Sequence, residues 1–206
     1  MNSKSRFIYV HDPMCSWCWG HRPVWEQFEA ELAAHVAVEY RVGGLAPDND
    51  EPMPAAQQAA ISGYWIKIHQ LLGVPFNMDF WTENEPRRST YPACRAVIAA
   101  RWQGAELPMM KALQRAYYLR ALNPSNKGVH SQLAAELFLD VGQFEQDLSS
   151  EALETAFQEE LAFSRSLPIN GFPSMVLIHH GQAHSFSLNY QDYREALAEV
   201  LQILSQ

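Results

Sequence analysis

The chain has 206 residues, 48% of them hydrophobic, and carries 23 acidic against 15 basic side chains, a formal charge of -8. That apolar content excludes a disordered chain, and the length suffices for one sizeable core with a large insertion. The acidic balance gives no reason to expect nucleic acid as a partner, and no lysine–arginine cluster suggests a membrane surface.

The N-terminal Met1-Asn2-Ser3-Lys4-Ser5-Arg6 is positively charged, but only Phe7-Ile8-Tyr9-Val10 separates it from His11 and Asp12. That run is too short for the apolar region of a secretory signal, and no later stretch approaches a membrane span. The expected location is therefore the cytosol. Phe7 to Val10 reads as a buried strand, and Asp12-Pro13 marks the turn after it. A helix begins at Cys15-Ser16-Trp17-Cys18 and continues on Val24, Trp25, Phe28 and Leu32 to about Ala34. Pro23 lies inside it and predicts a kink. Val36, Val38, Tyr40 and Val42 alternate with Ala37, Glu39 and Arg41, the pattern of a strand, and Gly43-Gly44 ends it.

From about Pro52 to Leu167 the pattern is helical. Ile61, Trp65, Ile68 and Leu72 make one stripe; Tyr91, Cys94, Ile98 and Arg101-Trp102 belong to a second helix. Further helices are predicted over Met110–Leu122, Ser131–Val141 and Glu151–Ser166, with breaks at Gly73-Val74-Pro75, Gly104, Asn123-Pro124 and Gly142. Aromatic residues of this block, including Trp65, Trp102, Tyr117 and Tyr118, read first as core, and some could line a groove over Cys15. Arg87-Arg88 reads as a solvated loop. Strands return at Met175–Ile178 and around Phe186 and Leu188, with a turn at His180-Gly181. Tyr193, Leu197, Val200, Leu201 and Leu204 place a last helix. The order βαβ, a block of helices, then ββα predicts an α/β fold. Residues 1–50 and 168–206 form one discontinuous domain, and residues 51–167 an all-helical insertion.

Two of the three cysteines sit three positions apart at the first strand-to-helix junction. An odd number of cysteines does not make a disulfide framework, and in a reducing compartment such a pair is catalytic or metal-binding. Unpaired N–H groups and the helix dipole favour a thiolate at Cys15. Cys18, one turn on, lies on the same helix face, deeper and less accessible. Thiol–disulfide exchange needs this combination: Cys15 to attack and Cys18 to resolve the mixed disulfide. The helix start is expected to be an exposed place.

His11 and His21 flank the pair. Two thiolates and two imidazoles could hold zinc or copper(I), although the spacing matches no known zinc motif. The preferred reading makes each histidine a surface residue near the site, with His11 in contact with substrate and beside the thiolate. Trp17 should face outward as a hydrophobic lip for substrate, and Trp19 should pack. Cys94 reads first as a small buried hydrophobe, and second as a further redox thiol or a site of glutathione attachment.

The order of elements, with C-x-x-C after the first strand, resembles the thioredoxin fold. Its helical insertion resembles the DsbA family. The stretch Asp12-Pro13-Met14-Cys15-Ser16-Trp17-Cys18-Trp19-Gly20 is similar to cytosolic, FrnE-like members, and the resemblance extends to Gly171-Phe172-Pro173-Ser174. It implies a thiol–disulfide oxidoreductase or isomerase acting on a thiol- or disulfide-bearing protein or small thiol. No resident cofactor is implied, with glutathione a candidate thiol substrate. It also implies a cis bond before Pro173, beside the sulfurs, with Phe172 next to the docking substrate. Two departures stand out: Ser-Trp is neither the Gly-Pro of thioredoxin nor the Pro-His of periplasmic DsbA, and Phe172 is bulkier than the usual Thr or Val. Kappa-class glutathione transferases and 2-hydroxychromene-2-carboxylate isomerases resemble the same architecture. They typically carry Ser for the first cysteine and lack the second, so the pair retained here favours redox chemistry.

Overall fold

The structure, a computed structural model, describes residues 5–206; residues 1–4 of the stretch considered for a signal lie outside it. Strand β1 (Arg6–His11) is central. It pairs in parallel with β2 (Ala37–Val42) and antiparallel with β3 (Ser174–His179), and β4 (Gln182–Phe186) completes the order β2-β1-β3-β4. Parallel strands need a crossover, and α1 (Ser16–Leu32) supplies it, running through Pro23 as one helix. After β2 come α2 (Ala55–Leu72), α3 (Phe80–Glu83), α4 (Tyr91–Trp102), α5 (Glu106–Leu119), α6 (Lys127–Glu136), α7 (Val141–Leu148) and α8 (Glu151–Ser166). The hairpin β3–β4 follows, then α9 (Arg194–Leu204). The mixed architecture is the expected one, with a helical block between two sheet-forming segments.

Successive strand residues point to opposite faces, and β1 is buried on both. Phe7 and Tyr9 face α1, where Phe7 meets Trp25 and Phe28 and Tyr9 stacks on Trp25 at 3.9 Å. Ile8 and Val10 join Val176 and Leu167 on the opposite face, with Phe163 of α8 packed against them. Helix α8 is held to the end of β2 by polar bonds: Glu160 accepts the Val42 N–H at 2.7 Å, and the Ser164 hydroxyl donates to the Val42 carbonyl at 2.9 Å.

The helical block has its own aromatic centre. Trp65 is fully buried among Phe76, Phe80, Trp81, Tyr117 and Tyr118, with ring centroids 5.0–5.6 Å away. Tyr118 also stacks on Trp19 at 5.4 Å, and the Trp19 indole donates to the Pro75 carbonyl at 3.0 Å. These contacts dock the block on α1 and make Trp19 a packing residue. Trp102 departs from the expected core role, lying 45% exposed at the end of α4. The helix predicted over Ser131–Val141 stops early: α6 ends at Glu136, and α7 begins only at Val141. Phe138 adopts a left-handed φ of 58° with its ring exposed, and Gly142, read as a break, lies within α7. No helix among the described residues is long and apolar enough to cross a membrane.

Candidate active site

The turn Asp12-Pro13-Met14 carries the chain from the C-terminal end of β1 into α1, and the Asp12 carboxyl fixes it. Oδ1 accepts the Met14 N–H at 2.8 Å, while Oδ2 accepts the Leu45 N–H at 2.7 Å and the Thr90 hydroxyl at 2.6 Å. The Cys94 thiol lies 3.5 Å from the same oxygen. One fully buried carboxyl therefore ties together the β1–α1 turn, the segment after β2 and the start of α4. Burial raises its pKa, and hydrogen bonds from Thr90, Leu45, Met14 and Cys94 pull the other way.

Cys15 is the N-cap of α1, with extended backbone (φ -82, ψ 114), and its N–H bonds the Asp12 carbonyl at 3.0 Å. Its Sγ donates to the Phe172 carbonyl at 3.4 Å, and the Phe172–Pro173 peptide is cis. The expectation of an exposed helix start needs correcting, since Cys15 is only 6% exposed. The helical block and the Phe172 loop wall it in, so the thiol opens into a cavity of about 330 Å³ instead of bulk solvent. Cys18 is more enclosed still, at 2%. Burial first, then the neighbouring Cys15, pushes its thiol well above the ordinary value, so it stays protonated at neutral pH.

Cys15, Trp17 and Phe172 converge on this cavity, Cys18 lies behind Cys15, and Pro173 lies beside Phe172 in the loop. Trp17 also meets Tyr190 edge-on at 5.3 Å and borders a second cavity of about 480 Å³ rimmed by Asp192, Glu195 and Glu199. Gly43, read as a strand terminator, is required by space. A Cβ there would sit 2.0 Å from the Phe172 ring.

The histidine expectations are overturned. His11 is fully buried at the end of β1, against Tyr9 and Tyr40, and does not line the cavity. Burial holds it down to about 3, so it is neutral and can neither touch a substrate nor offer a positive charge to a thiolate. His21 is buried too, with Nδ1 3.1 Å from the Tyr9 hydroxyl. Among the described residues no three His, Cys, Asp or Glu side chains gather as a metal site, so the two thiols and two imidazoles do not converge. Cys94 is fully buried, its pKa raised by burial and then by Asp12.

Sequence reasoning missed the opposite wall. Arg87 and Arg88 are not a free solvated loop: they line the cavity together with Ser89, Thr90, Met53 and Tyr64. A signal for Thr90 existed, a hydroxyl residue just before a helix, but this hydroxyl makes no cap and donates to Asp12 instead.

The family model described as Thioredoxin matches residues 7–197. Among curated proteins, the ClpXP adapter protein SpxH of Halalkalibacterium halodurans is 25% identical over 171 residues. Those residues are 80% of this chain and only 56% of that protein. Among solved structures, a proposed protein disulfide isomerase from Nitrosomonas europaea has TM-score 0.83 and 27% identity, covering 97% of each chain. The cytosolic disulfide reductase DsbM from Pseudomonas aeruginosa has TM-score 0.78 and 24% identity, covering 96% of this chain and 98% of the other. DsbM has also been solved with GSH.

Proposed function

The chain belongs to the thioredoxin family, and from that premise we propose that it is a cytosolic thiol–disulfide oxidoreductase working through Cys15 and Cys18. One observation carries this reading: the Cys15 Sγ stands at the wall of a substrate-sized cavity, 3.4 Å from the Phe172 carbonyl, with Cys18 one helical turn behind it. In the reducing direction the Cys15 thiolate attacks a substrate disulfide R–S–S–R′. The S–S bond breaks, Cys15–S–S–R forms, and R′S⁻ departs and takes a proton. Cys18, held as a thiol by its burial, then gives up its proton, attacks the Cys15 sulfur and releases RS⁻. The substrate gains two electrons and the cysteine pair loses two. A small thiol returns them by the reverse exchange, and glutathione is the candidate, supported by the likeness to DsbM solved with GSH.

Trp17 and Phe172 supply the apolar walls that hold R beside Cys15. Pro173, lacking an N–H, leaves the loop beside the sulfurs without one donor. The Phe172 carbonyl, which accepts from the Cys15 thiol, is free to accept from a bound substrate backbone once the mixed disulfide forms. The cytosolic placement is supported by the description of DsbM as cytosolic and by the odd cysteine count.

The test is a titration of the Cys15–Cys18 couple in glutathione buffers beside single serine variants. A reversible two-electron couple is expected, lost in Cys15→Ser, with a stable mixed disulfide on Cys15 in Cys18→Ser. If disulfide reduction persists undiminished in Cys15→Ser, Cys15 is not the attacking thiol and the proposal is wrong; if wild type shows no reversible couple at all, a binding role like that of the adapter relatives takes its place.

A further inference from the structure

The two cavities that meet at Trp17 carry opposite charge. Among the described residues, the rim on the α9 side holds Asp192, Glu195 and Glu199 and no lysine or arginine, and the lining on the Cys15 side holds Arg87 and Arg88 and no carboxylate. A basic, acid-free chamber around the nucleophile is unexpected in a chain of net charge -8.

Arg88 is the more telling of the pair. Among the described residues only Arg88, Arg115 and Arg165 lack a carboxylate within 4.0 Å. Arg115 is exposed and Arg165 donates to the Tyr91 hydroxyl, whereas Arg88 is half-buried and donates to no group among the described residues. Arg87 beside it is anchored by the Ser125 carbonyl at 3.1 Å and by the Asn126 side chain. Its one carboxylate neighbour, Asp50, is fully exposed and lies at 4.0 Å. The Arg88 guanidinium has no ion pair to give up, and its planar fork matches a carboxylate bidentately.

Resting on the redox reading above, we infer that Arg88, with Arg87 behind it, is the specificity-determining residue of the site. It receives a carboxylate of a small thiol or disulfide whose sulfur lies at Cys15, so the enzyme prefers anionic low-molecular-weight disulfides. The acidic rim beyond Trp17 repels the same ligand and orients it toward the arginines.

Three disulfides with the same reacting bond test this, with dithiothreitol as reductant: glutathione disulfide, the neutral bis(2-hydroxyethyl) disulfide and the cationic cystamine. Wild-type kcat/KM is expected to fall in that order. Arg88→Gln should lose about 10- to 100-fold on glutathione disulfide, mainly through KM, and stay within about twofold on the hydroxyethyl compound. Arg88→Lys should recover part of the loss. Equal losses on all three substrates, or none on glutathione disulfide, overturn the role of Arg88. If wild type reduces even the neutral disulfide no faster than Cys15→Ser does, the redox reading itself has failed.

Discussion

Two helices of this molecule begin beside Asp12, and each places a cysteine near its start. Helix α1 starts at Cys15, and α4 places Cys94 in its first turn, with the Cys94 N–H bonded to the Thr90 carbonyl at 3.2 Å. By dipole and orphan N–H groups alone the two thiols would be rivals. Their surroundings separate them. Cys15 meets a cavity and a loop carbonyl, whereas Cys94 is fully buried, outside the cavity lining, with a carboxyl as its neighbour. A helix N-terminus supplies the electrostatics of a reactive thiol; an adjoining cavity supplies the chemistry.

The sharpest way to break that comparison is to exchange each sulfur in turn. Cys15→Ser should abolish disulfide reduction, measured with any small disulfide, while the fold persists by circular dichroism. Residual turnover that depends on Cys94 would show that the sealed thiol is reachable after all. Next in size is the carboxyl between the two helices. In Asp12→Asn one acceptor oxygen becomes an NH2 group, which faces a donor whichever way the amide turns: the Met14 N–H, or the Leu45 N–H and Thr90 hydroxyl. We expect a loss of about 2–4 kcal/mol of stability by urea unfolding. No loss would mean that Asp12 does not clamp the two helix starts together.

Both helix starts in this comparison were legible in the sequence, α4 with its buried Cys94 included; the cavity between them was not, for physical reasons. Period-two alternation and helical stripes are local, so β1, α1, β2 and the β3–β4 hairpin could be read directly, as could the thiol pair at their junction. Pro173 came from the resemblance. The cavity was hidden because its walls come from Met53, Arg87, Thr90 and Phe172, which only the packing of the helical block brings together. His11 misled because a polar residue after an apolar run looks like a strand end. In fact β1 continues through it, paired with Val42, and the sheet is covered on that face. Arg87-Arg88 looked like a solvated loop because two adjacent charges carry no sign of the cavity they face.

Acid should weaken both sides together. Burial holds His11 down to about 3, and His21 and His130 to about 4 each. Unfolding returns each toward about 6.5, so between that pH and about 4 the unfolded chain binds more protons and stability rises with pH. The contribution is complete above about pH 6.5 and is lost on acidification, by about 1.4 kcal/mol per pH unit for each histidine. Asp12, raised by burial, has the opposite sign and offsets part of the loss at the acid end. Urea titrations at pH 7 and pH 5 should show proton uptake on unfolding, reduced by about one in His11→Phe near α1 and again in His130→Gln in the helical block. A stability that is flat between these pH values would mean that neither region holds its histidines neutral.

The smallest effect belongs to the sealed thiol. Cys94→Ala removes one sulfur from a packed site, which costs about 1 kcal/mol as a small cavity, and takes from Asp12 a weak donor at 3.5 Å. Three stronger bonds still hold the carboxyl and the turn before Cys15. Disulfide reduction should therefore stay within about twofold of wild type, read with bis(2-hydroxyethyl) disulfide. If it falls with the Cys15–Cys18 potential unchanged, Cys94 takes part in turnover and the distinction between the two helix starts fails. If the potential itself moves, Cys94 acts on the pair through Asp12, and the carboxyl carries more than structure between them.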